Sequence, residues 1–259
     1  MRFCGMPLPS RADLEAIATR AGNLALGHFR RVAVERKADR SVVTAADREV
    51  EAFLVGELGP LMPDAGIVGE EGATRPATGP EQLVIDPIDG TSAFVAGLPT
   101  WCVCIGVLRA GEPVAGVVHL PCTGETYSAR DGQAWWSGVL LAPLADGRPA
   151  GDPFIVTDGK AHRRRHITYP HKIRSLGSGA YHVVLAARGA AEGALLGHAH
   201  VWDLVAPGAV LHALGGRYEY LDGRVVDLAA LLDGRRAPGE VMAGRPEVLA
   251  RLRPLLGSA

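Results

Sequence analysis

The stretch that decides the fold is IVGEEGATRPATGPEQLVIDPIDGTSAFV, residues 67–95. It carries two acidic clusters, at residues 70–71 and 86–89, and each follows a short apolar run typical of a buried strand. A carboxylate at the end of a buried strand is costly to desolvate unless a cation lies beside it. Because Pro87 has no N–H for a strand ladder, the sequence predicts a turn that aims both aspartates of the second cluster at one point.

The second cluster offers ligands for a hard divalent cation. The carboxylates of Asp86 and Asp89 and the Ile88 carbonyl between them are oxygen donors, which suit Mg²⁺ or Mn²⁺ and not Zn²⁺. Gly90 permits close approach of the backbone to a ligand, and Thr91 adds a hydroxyl beside free N–H groups. An Asx-type turn with a solvated acidic edge would give the same letters. The spacing of the aspartates excludes the D-x-D-x-T motif of aspartyl-phosphate phosphatases.

These residues resemble the signature of the inositol monophosphatase family, D-P-[IL]-D-G-T followed by x-[NS]-F and preceded by G-E-E. Two later segments, RSLGSGA at residues 174–180 and WDLVAPG at residues 202–208, also resemble segments of that family and stand in the family's order. The likeness runs from about Arg11 to Leu256. It implies an α+β / α/β fold, the layered α-β-α-β-α sandwich of the inositol monophosphatase and fructose-1,6-bisphosphatase type.

The resemblance also implies an activity and a site. It predicts a Mg²⁺-dependent, Li⁺-sensitive phosphatase of small phosphorylated metabolites, with about two or three Mg²⁺ ions, or Mn²⁺ in their place. The implied metal ligands are Glu70, Asp86, the Ile88 carbonyl, Asp89 and Asp203, with Asp86 bridging two ions. The implied catalytic residues are Glu70, Thr91 and Asp47, with Glu71 in support and with Gly90 and Thr91 binding the phosphate. Asp47 would polarise Thr91, which with Glu70 would orient the attacking water.

Two of these aspartates also have a purely structural interpretation. Thr44 and Asp47 have the spacing of a capping box at the start of a helix, and capping is compatible with a catalytic role. Asp203 follows Trp202 at the start of an apolar helix, where an N-cap alone would explain an aspartate.

Departures from the family pattern bear on the substrate. Ala93 stands where the signature has Asn or Ser, and Leu196 stands where inositol-preferring members carry a Glu that binds ring hydroxyls. Residues 97–101, GLPTW, resemble the histidinol-phosphate phosphatases of the same superfamily. The prediction is an inositol-1-phosphate-like metabolite, with histidinol phosphate or adenosine 3′,5′-bisphosphate as alternatives. A non-catalytic, phosphate-binding regulatory protein is the alternative of another class.

Composition limits the partners. Charged residues make up 21% of the chain and the formal net charge is −1, which gives no reason to expect a nucleic-acid polymer or a membrane surface. No apolar run approaches the ~20 residues of a membrane span, and the first residues lack the apolar core of a signal peptide. The cysteines, Cys4, Cys102, Cys104 and Cys122, lack metal-site spacing, so we expect reduced thiols in a cytoplasmic protein. The resemblance implies a homodimer.

The chain is predicted to form two halves. Residues 1–145 predict an α+β half with the metal-binding motifs and an antiparallel meander from Trp101 to Ala142. Residues 143–153, PLADGRPAGDP, indicate a linker. Residues 146–259 predict an α/β half that supplies Asp203 and the substrate contacts.

Local patterns predict further elements. Ser10 and Thr44 mark the starts of two helices, and a closing helix is expected over residues 246–256. The basic run at residues 162–166, HRRRH, is expected in a solvated loop. The alternative is an edge that steers a phosphorylated substrate toward the site.

Overall fold

The computed structural model describes residues 8–31, 35–36, 42–143 and 151–258. Its helices are α1 (Arg11–His28), α2 (Ala45–Leu61), α3 (Thr91–Val95), α4 (Ala161–Arg164), α5 (Gly179–Ala187), α6 (Val201–Ala213) and α7 (Pro246–Leu252). Its strands are β1 (Glu35–Arg36), β2 (Val42–Val43), β3 (Gly66–Gly69), β4 (Thr74–Arg75), β5 (Glu81–Asp89), β6 (Cys102–Arg109), β7 (Glu112–Leu120), β8 (Glu125–Arg130), β9 (Gln133–Trp136), β10 (Val139–Leu141), β11 (Phe154–Thr157), β12 (Arg165–Ile167), β13 (Lys172–Arg174), β14 (Ala194–Leu196), β15 (Arg217–Tyr220), β16 (Val241–Gly244) and β17 (Leu256–Ser258). Within the described ranges, no helix is both long and apolar enough to cross a bilayer.

Two sheets carry most of the strands. In the described residues the first has 8 strands in the order β10-β9-β8-β7-β6-β5-β3-β4, and the second has 5 in the order β13-β11-β14-β16-β15. The first is antiparallel except that β3 and β5 run parallel. In the second, β11 runs parallel to β13 and β14. The antiparallel meander predicted after Trp101 is confirmed by strands β6 to β10.

Helices and sheets alternate in layers. Apolar residues of α1 and α2 pack on one face of the first sheet. Helices α5 and α6 lie between the two sheets. Helix α7 covers the outer face of the second sheet. This order of layers is the α-β-α-β-α sandwich that the resemblance implied.

Both helix starts predicted from capping boxes are confirmed. The N–H of Asp13 donates to the Ser10 hydroxyl oxygen at 3.1 Å, and the N–H of Ser10 donates to Asp13 Oδ2 at 3.0 Å. Thr44 and Asp47 form the same box at the start of α2. Each box satisfies N–H groups that the first turn of a helix leaves without an intrahelical acceptor.

The C-terminal end differs from the prediction. The closing helix was expected over residues 246–256, but α7 ends at Leu252 and a 3₁₀ turn follows over Arg253–Leu255. Pro254 has no N–H for the helical ladder, so the helix stops and the chain continues as β17, paired with β12. The predicted linker at residues 143–153 falls mostly on residues 144–150, outside the described residues, so the division into halves stays a prediction.

Helix α6 packs directly on the first sheet at a place where two glycines face it. Gly106 of β6 and Gly116 of β7 are register partners. A Cβ atom at Gly106 would lie 2.7 Å from the N atom of Ala206, and one at Gly116 would lie 2.3 Å from the Ala206 carbonyl oxygen. This glycine pair therefore allows α6, which carries Asp203, to approach the sheet closely.

We expect Gly116→Ala to lower the free energy of unfolding by about 1–3 kcal/mol, because α6 must move away from the sheet. The matched control is Gly56→Ala on the exposed face of α2, where no described atom lies within 4 Å of the added Cβ. That change should be neutral or stabilise the protein by up to about 1 kcal/mol, through helix propensity. Equal unfolding free energies of the two variants in denaturant titrations would contradict the close packing of α6.

Candidate active site

Strand β5 carries two aspartates through a bulge. The turn predicted at Pro87 is wrong, because β5 continues through Pro87 to Asp89. Asp86 and Asp89 pair with two residues of β6 that are only two positions apart, so β5 has one extra residue here. On a regular strand, residues three apart point to opposite faces, and the extra residue cancels that alternation. The bulge also releases Pro87 from the ladder.

The two aspartates meet a third from α6. Carboxylate oxygens of Asp86, Asp89 and Asp203 lie within 4.8 Å of one another. Asp86 is 1% exposed and Asp89 is 6% exposed, which excludes a solvated acidic edge. Burial raises the pKa of Asp86 well above its usual value, and the charges of Glu70, Asp89 and Asp203 add to the rise. Burial and then the charge of Asp89 raise the pKa of Asp203.

The carboxylate of Asp89 is fixed by the start of α5. Its Oδ2 atom accepts the N–H of Ala180 at 2.8 Å and the hydroxyl of Ser178. The Cys102 thiol also lies 3.5 Å from this oxygen. Burial raises the pKa of Asp89, while the hydrogen bonds from Ser178 and Ala180 oppose the rise. Protein donors thus hold Oδ2 in place.

Asp86 and Asp203 are also anchored by backbone donors. The N–H of Ile88 donates to Asp86 Oδ1 at 3.0 Å. The N–H of His200 donates to Asp203 Oδ2 at 2.6 Å. His200 is the N-cap of α6 and Asp203 is the third helical residue, so the N-cap interpretation of Asp203 is wrong. Protein donors thus hold the three carboxylates where they converge, and hard oxygen donors of this kind fit Mg²⁺ or Mn²⁺.

Asp47 connects its capping box to Thr91. Its Oδ2 accepts both the N–H and the hydroxyl of Thr44 at 2.7 Å. Its Oδ1 lies 3.3 Å from the Thr91 hydroxyl oxygen, which is also 3.1 Å from the Ile88 carbonyl oxygen. A hydroxyl has one hydrogen and donates to only one of these acceptors at a time. The two interpretations of Asp47 are therefore geometrically compatible.

Gly90 and the acidic turn complete the site. Gly90 has a φ of 93°, and a Cβ there would lie 2.9 Å from the Gly177 carbonyl oxygen, so glycine is required at this position. Glu70 and Glu71 are half-buried in the turn after β3. The charge of Glu70 raises the pKa of Asp86 and of Asp203, so Glu70 lies near the cluster.

A cleft of about 480 Å³ opens beside Asp89 and Asp203. Its wall includes Asp158, Lys160, Arg164, His182, Leu196 and His198. This wall mixes both signs of charge with the apolar Leu196, so it can receive a polar alcohol attached to a phosphate.

The solvated loop predicted for the basic run is wrong for Arg164 and Arg165, which are only partly exposed. Residues 161–164 form α4 and β12 begins at Arg165. Arg164 donates to Glu240 at 2.9 Å and also pairs with Asp158, and Arg165 pairs with Glu240. Arg164 lines the cleft. The anion-steering edge stays a prediction.

The sequence did not identify Ser178 as the partner of Asp89. Its segment matched a family segment, and Ser178 is also the N-cap of α5, accepting the N–H of Tyr181 at 3.0 Å. The local pattern could have predicted that cap. The contact with Asp89, 89 residues away, depends on how α5 packs against β5.

In a chelator, we expect Asp86→Asn to raise the melting temperature at neutral pH by about 2–4 °C, the shift that about 1 kcal/mol gives in a chain of this size. The folded-state pKa of Asp86 is raised above 3.8, so its ionised form destabilises the metal-free fold above that raised pKa. As the pH falls from the raised pKa toward the unfolded value of 3.8 the penalty shrinks, and below 3.8 it is gone, so the two melting temperatures should converge across that range.

The control is Asp222→Asn, at an exposed aspartate whose pKa is lowered by hydrogen bonds from Arg224. It should give no gain in melting temperature at neutral pH. A large loss of stability in Asp86→Asn would instead make Asp86 a structural bulge residue.

Comparisons with known proteins identify the family of the chain. The model of the inositol monophosphatase family matches residues 10–251. A fructose-1,6-bisphosphatase/inositol-1-monophosphatase of Thermotoga maritima is 30% identical, over 79% of this chain and 82% of that protein. A histidinol-phosphatase of Mycobacterium tuberculosis is 34% identical, over 84% and 86%.

A solved structure supports the same fold. The extragenic suppressor protein suhB from Bartonella henselae superposes with a TM-score of 0.80 at 22% identity, covering 94% of this chain and 96% of that one. The chain belongs to the inositol monophosphatase family and is a phosphatase, a hydrolase of phosphoric monoesters.

Proposed function

We propose that this phosphatase depends on Mg²⁺ and hydrolyses a small, inositol-1-phosphate-like metabolite to its alcohol and inorganic phosphate. The observation that carries the proposal is the cluster of Asp86, Asp89 and Asp203, with carboxylate oxygens within 4.8 Å beside the cleft. A phosphate monoester is itself an anion, so it can approach three carboxylates only if cations neutralise the site. The raised pKa values of all three support the same conclusion.

The proposed ligands come from both halves of the chain. Glu70, Asp86 and the Ile88 carbonyl would hold one ion, and Asp86 would share a second with Asp89 and Asp203. Bound Mg²⁺ would neutralise the phosphoryl oxygens and lower the pKa of a water, so that this water can lose a proton and attack the phosphorus.

The remaining residues orient the reactants. When Asp47 accepts the Thr91 hydroxyl hydrogen, the lone pairs of that hydroxyl oxygen become available to the attacking water. Glu70 would accept the second hydrogen of this water as general base, with Glu71 in support. The N–H groups of Gly90 and Thr91 would bind phosphate oxygens.

Histidinol phosphate is the second candidate substrate. The relative in Mycobacterium tuberculosis carries that activity in its name, and residues 97–101 resemble the histidinol-phosphate phosphatases. Leu196 lines the cleft where a Glu would bind inositol hydroxyls. Adenosine 3′,5′-bisphosphate is the third candidate. By the same resemblance we propose inhibition by Li⁺ and a homodimer. We also propose a cytoplasmic location, from the reduced thiols that the cysteine pattern predicts, and two halves that meet near residue 145, from the linker composition of residues 143–153.

We expect phosphate release to require Mg²⁺ and to cease after exhaustive chelation with EDTA, because the carboxylates alone would repel the substrate. The assay is inorganic phosphate release from inositol 1-phosphate, histidinol phosphate, fructose 1,6-bisphosphate and adenosine 3′,5′-bisphosphate, ranked by kcat/KM. Full turnover in EDTA would exclude the metal mechanism. Binding of these compounds without turnover in Mg²⁺ would favour the non-catalytic alternative.

We expect Asp47→Asn to lower kcat at least ~100-fold with little change in KM. A factor of ~100 is the lower end of the rate enhancement that acid–base assistance typically contributes. The loss of its capping role should cost at most ~1 kcal/mol. Asp13→Asn is the matched control, since Asp13 caps α1 in the same type of box. It should show a similar stability loss with unchanged kcat.

The coupling of Asp47 to Thr91 has its own test. Thr91→Ala should lower kcat by a similar factor, and the double variant should be hardly slower than either single one, because the two residues act as a unit. Rate losses that multiply in the double variant would refute this pair and leave Asp47 as a cap only.

A further inference from the structure

A second carboxylate of α2, Glu51, lies one helical turn after Asp47 and on the same face of the helix. Glu51 is 5% exposed. Its Oε2 atom accepts the N–H of Glu71 at 2.8 Å, and its Oε1 atom accepts the N–H of Ala73 at 2.8 Å. Both donors belong to the turn that joins β3 to β4.

Glu70 lies in that turn and is held on both sides. Its own N–H donates to the Ile85 carbonyl oxygen of β5 at 3.3 Å. The next peptide is bound by Glu51, and the turn closes with the N–H of Gly69 on the Ala73 carbonyl oxygen at 2.8 Å. The direction of the Glu70 side chain therefore depends on a contact with α2.

Gly69 makes room for this contact. A Cβ atom at Gly69 would lie only 2.4 Å from Glu51 Oε2 and 3.1 Å from the Ala73 Cβ. The close contact with Glu51 therefore explains, on steric grounds, why a glycine occupies the first position of the G-E-E segment. With a side chain at residue 69, the Glu51 carboxylate would have to move away from the turn.

We propose that Glu51 is a positioning residue that fixes the Glu70 turn against the cluster of Asp86, Asp89 and Asp203, and so sets the affinity of the site for divalent cations. The inference rests on the proposed function, because it takes Glu70 as a ligand. Helix α2 would then serve the site twice, through Asp47 at Thr91 and through Glu51 at the Glu70 turn.

Glu51→Gln tests the proposal. The amide keeps the shape of the side chain, but its NH₂ group faces one of the two backbone N–H donors, so one hydrogen bond is lost. Removal of partners that orient metal ligands typically weakens metal binding about 10–100-fold. We expect the Kd for Mn²⁺, titrated calorimetrically into the metal-free full chain, to rise at least about tenfold.

A control separates positioning from mere stability. Glu219 lies in β15 of the second sheet and is 2% exposed. Its carboxylate pairs with Arg217 and Arg253. Glu219→Gln should lower the melting temperature of the metal-free protein without changing the Kd for Mn²⁺. Titrations are made well below both melting temperatures, so that all of each variant is folded.

Gly69→Ala supplies a second, independent variant if Glu51→Gln does not fold. It should raise the Kd for Mn²⁺ by a similar factor, and the double variant should be little worse, because both changes disturb one contact. An unchanged Kd in a folded Glu51→Gln or Gly69→Ala protein would overturn the positioning role. Failure of the unmodified protein to bind Mn²⁺ would overturn the proposed function itself, and this inference with it.

Discussion

The repulsion among three converging carboxylates is the constraint on which the rest of the structure depends. Asp86, Asp89 and Asp203 are brought within 4.8 Å of one another at a site where burial raises all three pKa values. Such an arrangement is unfavourable in the metal-free fold, so each side chain must be held in place by other contacts. Backbone N–H groups supply such contacts: that of Ile88 donates to Asp86, that of His200 to Asp203 and that of Ala180 to Asp89.

The layered fold holds the three carboxylates together through the positions of its strands and helices. The bulge in β5 sends Asp86 and Asp89 to the same side, and the glycine pair of β6 and β7 lets α6 approach closely enough to add Asp203. The start of α5 fixes Asp89. Close packing in the core thus sets distances at the site, and a methyl group at the wrong glycine would act on the chemistry through the packing of α6.

Much of the fold and the acidic motif of the site could be predicted from the sequence, because the patterns that indicate them are local in the chain. The acidic motif and both capping boxes each lie within a few residues of chain, and the β meander pairs strands that follow one another in sequence. The layered architecture was predicted from the resemblance to the family. The rest depends on contacts between distant positions. Ser178 reaches Asp89 from 89 residues away, and Glu51 holds a turn 20 residues away. Arg164 meets Glu240 across 76 residues, so its charge looked solvated when only its neighbours in sequence were considered.

The contact between Asp89 and the start of α5 has a consequence for biosynthesis. A ribosome that has completed the first sheet has made Asp86 and Asp89, but Ser178, Ala180 and Asp203 are still to be translated. The nascent chain at that stage has two of the three carboxylates of the cluster and lacks the donors that hold Asp89. On the proposed mechanism, hydrolytic competence therefore waits for α5 and α6, which supply the donors to Asp89 and the third carboxylate.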